Sequence, residues 1–178
     1  MSVLTVGTGE EYTTIAAAVA AASAGDTIDV NAGTYVAGDL KITQNLTLAA
    51  VGGTVDIVPP ASASKYNVAR GLFIIGTETS APNVTIEGFS FSGAWSSSSN
   101  GAGIRYQGGN LTLDDDSFSN NQDGILAPPD VPGTGTIDVN DCVFDHNGAG
   151  DGQSHNMYIG WINTFIMTNS ISEDGGRP

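Results

Sequence analysis

The feature that most constrains this chain is a motif that returns four times at nearly constant spacing. Residues 83–91, 110–118, 136–144 and 164–172 superpose without gaps, and their fourth residues, Ile86, Leu113, Val139 and Met167, succeed one another after 27, 26 and 28 residues. A fixed period means stacked repeats, each burying its apolar side chains against its neighbours. Each unit alternates apolar and polar residues, then carries a small or polar pair, then another apolar residue, which reads as strand, sharp bend and second strand. A further strand series lies between the units, at 103–106, 124–126 and 156–159, and residues 45–48 read as an earlier, degenerate copy. Leucine-rich or ankyrin repeats would place a helix in every period, and none is present. An immunoglobulin-like sandwich also spaces short strands regularly, but it has no reason to repeat one motif at constant period.

Ahead of the repeats, residues 12–22 are the one good helix candidate, alanine-rich and with Ile15, Ala18, Val19 and Ala22 at helical spacing. Thr13 or Thr14 is placed to cap its start and Gly25 to end it, after which residues 26–30 alternate as a strand. One helix followed only by strands predicts an all-β parallel β-helix. This solenoid has its N-terminal strand and capping helix over residues 1–25 and its coils over 26–178. The 178 residues suit a single domain. The period further predicts one internal column of Ile86, Leu113, Val139 and Met167 and another of Phe91, Phe118 and Phe144. It also predicts a ladder of Gly88, Asp115, Asp141 and Asn169 at one bend.

Nineteen acidic against five basic residues give a formal charge of −14. Such a surface repels phosphate backbones and anionic lipids, so neither nucleic acid nor membrane is an expected partner. An acidic polysaccharide is repelled too, unless a bound cation or a local basic patch reverses the field. The lone Cys142 forbids an internal disulfide and, between Asp141 and Val143, reads as a buried structural thiol. No apolar run approaches the roughly 18 residues of a membrane span. No signal peptide is visible, and the composition is compatible with a secreted or extracellular location.

Two stretches resemble known families. Val6-Gly7-Thr8-Gly9, Tyr12-Thr13-Thr14-Ile15, Gly25-Asp26-Thr27-Ile28 and Gly33-Thr34-Tyr35 together resemble the first segment of pectate-lyase-like β-helix proteins, which include pectinesterases and polysaccharide lyases. The resemblance implies a right-handed parallel β-helix whose helix closes the barrel and whose Gly33-Thr34-Tyr35 turn leads into the first full coil. It implies little about activity, because that superfold hosts lyases, hydrolases, epimerases, esterases and inert adhesins. Residues 152–160, with His155-Asn156-Met157-Tyr158, are similar to the His-Asn-x-Tyr segment of bacterial β-helix proteins related to mannuronan epimerases and alginate lyases. That resemblance implies a histidine and a tyrosine acting as acid and base, with further coils carrying basic residues after them. Here the sequence ends with residues 173–178, so a chain shortened at its C-terminus is expected.

Removing the C5 proton of a uronate needs a base near that carbon and a cation beside the carboxylate. His155 and Tyr158 are three apart, so a regular strand would aim them to opposite faces, and only a bend at Asn156 would bring them together. The available cations are Lys41, Lys65, Arg70, Arg105 and Arg177; Arg105 belongs to the strand series of Tyr158 and would share its face one or two coils earlier. The competing reading makes Arg105 a solvated surface residue and His155 a hydrogen-bonded turn residue. Paired carboxylates would suit a glycosidase, but among Asp114, Asp115, Asp116, Asp123, Asp138, Asp141, Asp145 and Asp151 no pair stands out. Calcium, the one candidate cofactor, needs about six to eight oxygens. Asp145 and Asp151 offer them in one loop, and Asp115 and Asp141, as like-charged neighbours at a bend, must be solvated, bind a cation or hold a proton.

Two functions follow. The first is a non-catalytic or vestigial β-helix module, carbohydrate-binding or structural. The alternative is a polysaccharide lyase or epimerase acting on an alginate- or pectate-like polymer, with His155, Tyr158 and Arg105 as catalytic candidates. Few basic residues and the early end favour the first. The last unit has Ser172 where the others carry phenylalanine, and no amphipathic segment follows Ile171 to cover it. An uncovered end exposes strand edges and core side chains. A homo-oligomer is therefore predicted, most simply a two-fold dimer through Trp161, Phe165, Met167 and Ile171.

Overall fold

The sequence period becomes a set of parallel ladders. The computed structural model describes residues 1–77, 79–128 and 135–176. It begins with strand β1 (Val3–Val6), helix α1 (Ile15–Ala21), β2 (Asp26–Val36), β3 (Leu40–Ile42), β4 (Leu46–Val58) and β5 (Gly71–Ile75). Then follow β6 (Asn83–Glu87), β7 (Phe89–Ser92), β8 (Ala102–Tyr106), β9 (Asn110–Asp114), β10 (Ser117–Ser119) and β11 (Asp123–Ala127). The chain continues through β12 (Thr136–Asn140), β13 (Val143–Asp145), β14 (Met157–Ile159), β15 (Thr164–Thr168) and β16 (Ile171–Glu173).

From β5 onward each strand pairs in parallel with the strand three elements later. β6, β9, β12 and β15 form one ladder, β7, β10, β13 and β16 a second, and β5, β8, β11 and β14 a third that starts at β3. The long β4 pairs with β6 through its first half, with β7 through its second, and with β2 along most of its length. The protein is thus mostly β, with one helix among the described residues, and its parallel sheets fit a β-helix. Every ladder between these strands is parallel, so the antiparallel sheets of an immunoglobulin-like sandwich do not form among the described residues.

Register turns the period into columns of contact. Ile86, Leu113, Val139 and Met167 stand opposite one another, the first three fully buried and Met167 partly so. Phe91, Phe118 and Phe144 form the second column, with ring centroids 5.0 and 4.7 Å apart and planes within 8° and 1° of parallel. The third ladder approaches these rings closely because it presents glycine to them. A Cβ on Gly103 would lie 2.9 Å from Phe118 Cδ1, and one on Gly124 would lie 2.4 Å from the Asn156 carbonyl oxygen and 3.0 Å from Phe144.

The bends are as regular as the strands. Gly88, Asp115, Asp141 and Asn169 all adopt left-handed backbone, with φ of 77°, 56°, 52° and 52°, and form the ladder expected from the repeat. Glycine has no Cβ to clash there, and short Asp and Asn side chains tolerate the conformation. A second left-handed series, Gly93, Asn120, His146 and Asp174, lies two residues beyond the phenylalanine column.

One residue further on lies a buried asparagine ladder. Asn121 and Asn147 donate from Nδ2 to the carbonyls of Phe91 and Phe118, at 3.0 and 2.8 Å. Their Oδ1 atoms accept the N–H of the residue one coil earlier, Ala94 at 2.9 Å and Asn121 at 3.1 Å. In the next coil the equivalent position is Gly175, and the side chain of Asn156 occupies the place instead. It donates to the Phe144 carbonyl at 3.1 Å and accepts the Asn147 N–H at 3.2 Å, while a Cβ on Gly175 would lie 2.8 Å from its amide. The N–H groups of Ala94, Asn121 and Asn147, which the bends withdraw from the sheets, are satisfied in this way.

Helix α1 is shorter than expected. Thr14 caps it, its Oγ1 accepting the Ala17 N–H at 3.2 Å, and Ala22 rather than Gly25 ends it by turning extended. The Gln44 amide then donates to the carbonyls of Val19 and Ala22, at 3.0 and 2.9 Å. Ile15, Ala18 and Val19 are buried in the same core as Leu4 and Ile28. At the other end Trp161, Phe165, Ile166 and Ile171 are exposed. No helix among the described residues is long and apolar enough to cross a membrane.

Candidate functional site

Along the third ladder, alternate residues point away from the core and form their own column. Lys41, Ile74, Arg105, Leu126 and Tyr158 are paired in sequence across β3, β5, β8, β11 and β14, while Ile104 and Ile125 between them face inward. Arg105 therefore shares a face with Tyr158 two coils away, about 10 Å along the stack. It is also only 4% exposed, which corrects its reading as a solvated surface residue. Segments leading into β5, β8 and β14 line a groove of about 790 Å³ over it; Arg70, Asn100, Asp123, His155 and Tyr158 line this groove with Arg105.

The bend required at Asn156 is present. Asn156 turns its side chain into the asparagine ladder, β14 starts only at Met157, and the rings of His155 and Tyr158 stack with centroids 6.1 Å apart and planes 12° from parallel. The His155 backbone is fixed on both sides, its N–H donating to Asp123 Oδ1 at 2.9 Å and its carbonyl accepting the Gly124 N–H at 3.1 Å. His155 is thus a hydrogen-bonded turn residue through its backbone and a groove residue through its ring.

Asp123 is the residue that sequence reasoning could not single out. It opens β11 and is 1% exposed, yet lines the groove. Burial pushes its carboxyl up to about 7; the His155 N–H and the Arg105 charge pull it down, and the Asp151 charge adds to the rise. A carboxyl that exchanges its proton near neutrality is suited to acid–base work or to sensing charge. Nothing in the order of residues separates Asp123 from the other aspartates, because what sets it apart is burial at the wall of this groove.

Asp116 is equally buried, but on another side of the molecule. Its Oδ1 accepts the Phe89 N–H at 2.7 Å, its Oδ2 has no hydrogen-bond partner, and burial holds its carboxyl well above the ordinary range. Cys142 is buried, as expected of a structural thiol, and burial pushes it up to about 12. Such a thiol is not a nucleophile.

The candidate calcium ligands are spread over three places. Asp115 and Asp141 share a bend and line a shallow groove with Asp116. Asp145 bonds the His146 ring and has Asp174 within 4.8 Å. Asp151 closes a turn, its carboxylate accepting the N–H groups of Gln153 and Ser154 at 2.9 and 2.8 Å, and these bonds, that from Gln153 foremost, hold it below the usual carboxylate range. Among the cations, Arg70 lies on the groove rim, Lys65 sits 5.0 Å from the centroid of the Trp95 ring, and Arg177 lies outside the described residues.

No family model matches this chain, and no curated protein sequence matches it. Among solved structures, a pectin methylesterase mutant in complex with a hexasaccharide is similar, with a TM-score of 0.45 and 17% identity over 81% of this chain. The chain spans 56% of the length of that enzyme.

Proposed function

We propose that the chain is a right-handed parallel β-helix, one solenoid domain over residues 1–178 whose N-terminal end is closed by α1. In this reading it serves as a non-catalytic module whose groove holds a stretch of acidic polysaccharide of the alginate or pectate kind. The observation that carries the reading is the convergence of Arg70 and Arg105, two of the chain's five basic residues, with the stacked His155 and Tyr158 rings in one groove. A local basic patch is what an anionic ligand needs on a surface of charge −14, and ring faces beside a few convergent polar groups suit a sugar. Titration calorimetry with oligomers of alginate and of polygalacturonate tests it. Binding is expected that weakens about tenfold in Tyr158→Ala, the loss of one good contact; no binding, or binding unchanged by Tyr158→Ala, refutes the assignment.

The second reading, a lyase or epimerase, is favoured by the burial that pushes the Asp123 carboxyl up to about 7 beside the His155 N–H. It requires either an unsaturated product absorbing in the ultraviolet or exchange of solvent deuterium into C5 of the polymer. Absence of both leaves the binding module. Of the expected contact residues, Trp161, Phe165 and Ile171 are exposed, with Ile166 beside them, while Met167 is partly buried against the core; the exposed ones support self-association through the final coil. Sedimentation at micromolar concentration is expected to show a dimer, and a monomer would remove this part of the reading.

A further inference from the structure

We infer that Asp123 sets the charge selectivity of this groove: with its carboxyl protonated the groove accepts a carboxylate-bearing sugar, and with it ionised the groove rejects one. The inference rests on the binding reading above and adds the group that regulates it. Asp123 lies between Ala102 of β8, its partner in register, and the His155 N–H that holds its Oδ1. At 1% exposure its charge acts through protein rather than through water, where it would be screened.

The charged and titratable groups around it come from every neighbouring element. Arg105 comes from β8, Asp151 and His155 from the segment before β14, Tyr158 from β14 itself, and Arg70 from the rim. Arg70 and Arg105 attract a carboxylate. Asp151, held ionised by its backbone donors, repels one. Ionisation of Asp123 adds its own negative charge to that of Asp151 and so weakens the attraction. Because burial brings its proton affinity to neutrality, the change falls where small shifts of pH move it. Linkage makes the effect reciprocal, so a bound carboxylate must raise the proton affinity of Asp123 by the factor that ionisation of Asp123 weakens binding.

The test compares polygalacturonate oligomers binding to the wild type, His155→Gln and Asp123→Asn/His155→Gln at about pH 5 and about pH 8, on either side of the Asp123 transition. Wild type is expected to bind more weakly at the higher pH, by about fivefold or more, and Asp123→Asn/His155→Gln, whose amide oxygen at position 123 still accepts the N–H of position 155, to bind equally at both. His155→Gln alone is expected to keep the part of the loss that Asp123 causes, about fivefold. The Asp123 carboxyl carbon, followed by NMR, should titrate near 7 in the unliganded protein and about one unit higher at saturation. A wild-type affinity that ignores pH, or an Asp123→Asn/His155→Gln variant that keeps the loss, overturns the inference while the groove remains a binding site. Failure of both proteins to bind at the lower pH overturns the binding reading and the inference with it.

Discussion

Replacing Asp123 by asparagine should change the pH dependence of stability in a direction and by an amount that follow from its burial. The carboxyl rises from 3.8 to about 7 on folding. Three units at about 1.4 kcal/mol each amount to about 4 kcal/mol. Because the folded pKa is the higher one, the folded protein binds the proton more tightly. Its contribution to stability is complete below the unfolded pKa, falls as pH rises toward 7, and is gone above it. Part of this loss has occurred by pH 5, so about 2.5 kcal/mol remains to be lost between about pH 5 and about pH 8. The asparagine variant keeps the hydrogen bond from the His155 N–H and does not titrate. Urea denaturation of both proteins at the two pH values is the assay, and the difference of differences cancels the other carboxylates. The variant should gain about 2.5 kcal/mol on the wild type between the two conditions, less if Arg105 or water shifts to receive the ionised group. A wild-type-to-variant difference that stays constant with pH would show that the Asp123 carboxyl is not desolvated and would refute the reasoning.

Other outcomes follow from the packing and the bends. Phe118→Ala removes the middle ring of a stacked column and is expected to cost about 3–5 kcal/mol in urea denaturation; a loss below about 1 kcal/mol would mean the column collapses without penalty. Gly124→Ala places a methyl 2.4 Å from the Asn156 carbonyl oxygen, at a residue with no left-handed strain, so a loss of about 3 kcal/mol would be purely steric. Asn147→Ala strands the Asn121 N–H in the interior and removes the side-chain bond to the Phe118 carbonyl, and should cost about 1–3 kcal/mol and expose the Asn121 amide to hydrogen exchange. Slow exchange there in the variant would rule out the ladder as its protection.

How much of this was legible beforehand depends on whether a residue's role is repeated along the chain. The columns of Ile86, Leu113 and Val139 and of Phe91, Phe118 and Phe144 follow from a common period, because stacked coils must set equivalent residues opposite each other. The Gly88, Asp115, Asp141 and Asn169 bend was readable for the same reason, as was the placing of Arg105 and Tyr158 on one face. The asparagine ladder carries a sequence signal of its own, two asparagines three residues beyond successive phenylalanines; its last member, Asn156, breaks the period because it reaches the same place from a different loop.

What the order of residues determined by itself is therefore the repeat: its period, its strands and bends, its apolar interior and the chain's excess of negative charge. Only the tertiary structure decided the groove. Arg105 lies buried beneath a groove lined by segments distant in sequence, His155 met Tyr158 because Asn156 was drawn into the interior, and Asp123 was desolvated at the wall of that groove. A proton affinity depends on which atoms surround a group in space, and the atoms that surround Asp123 come from residues about 30 positions away along the chain, such as His155.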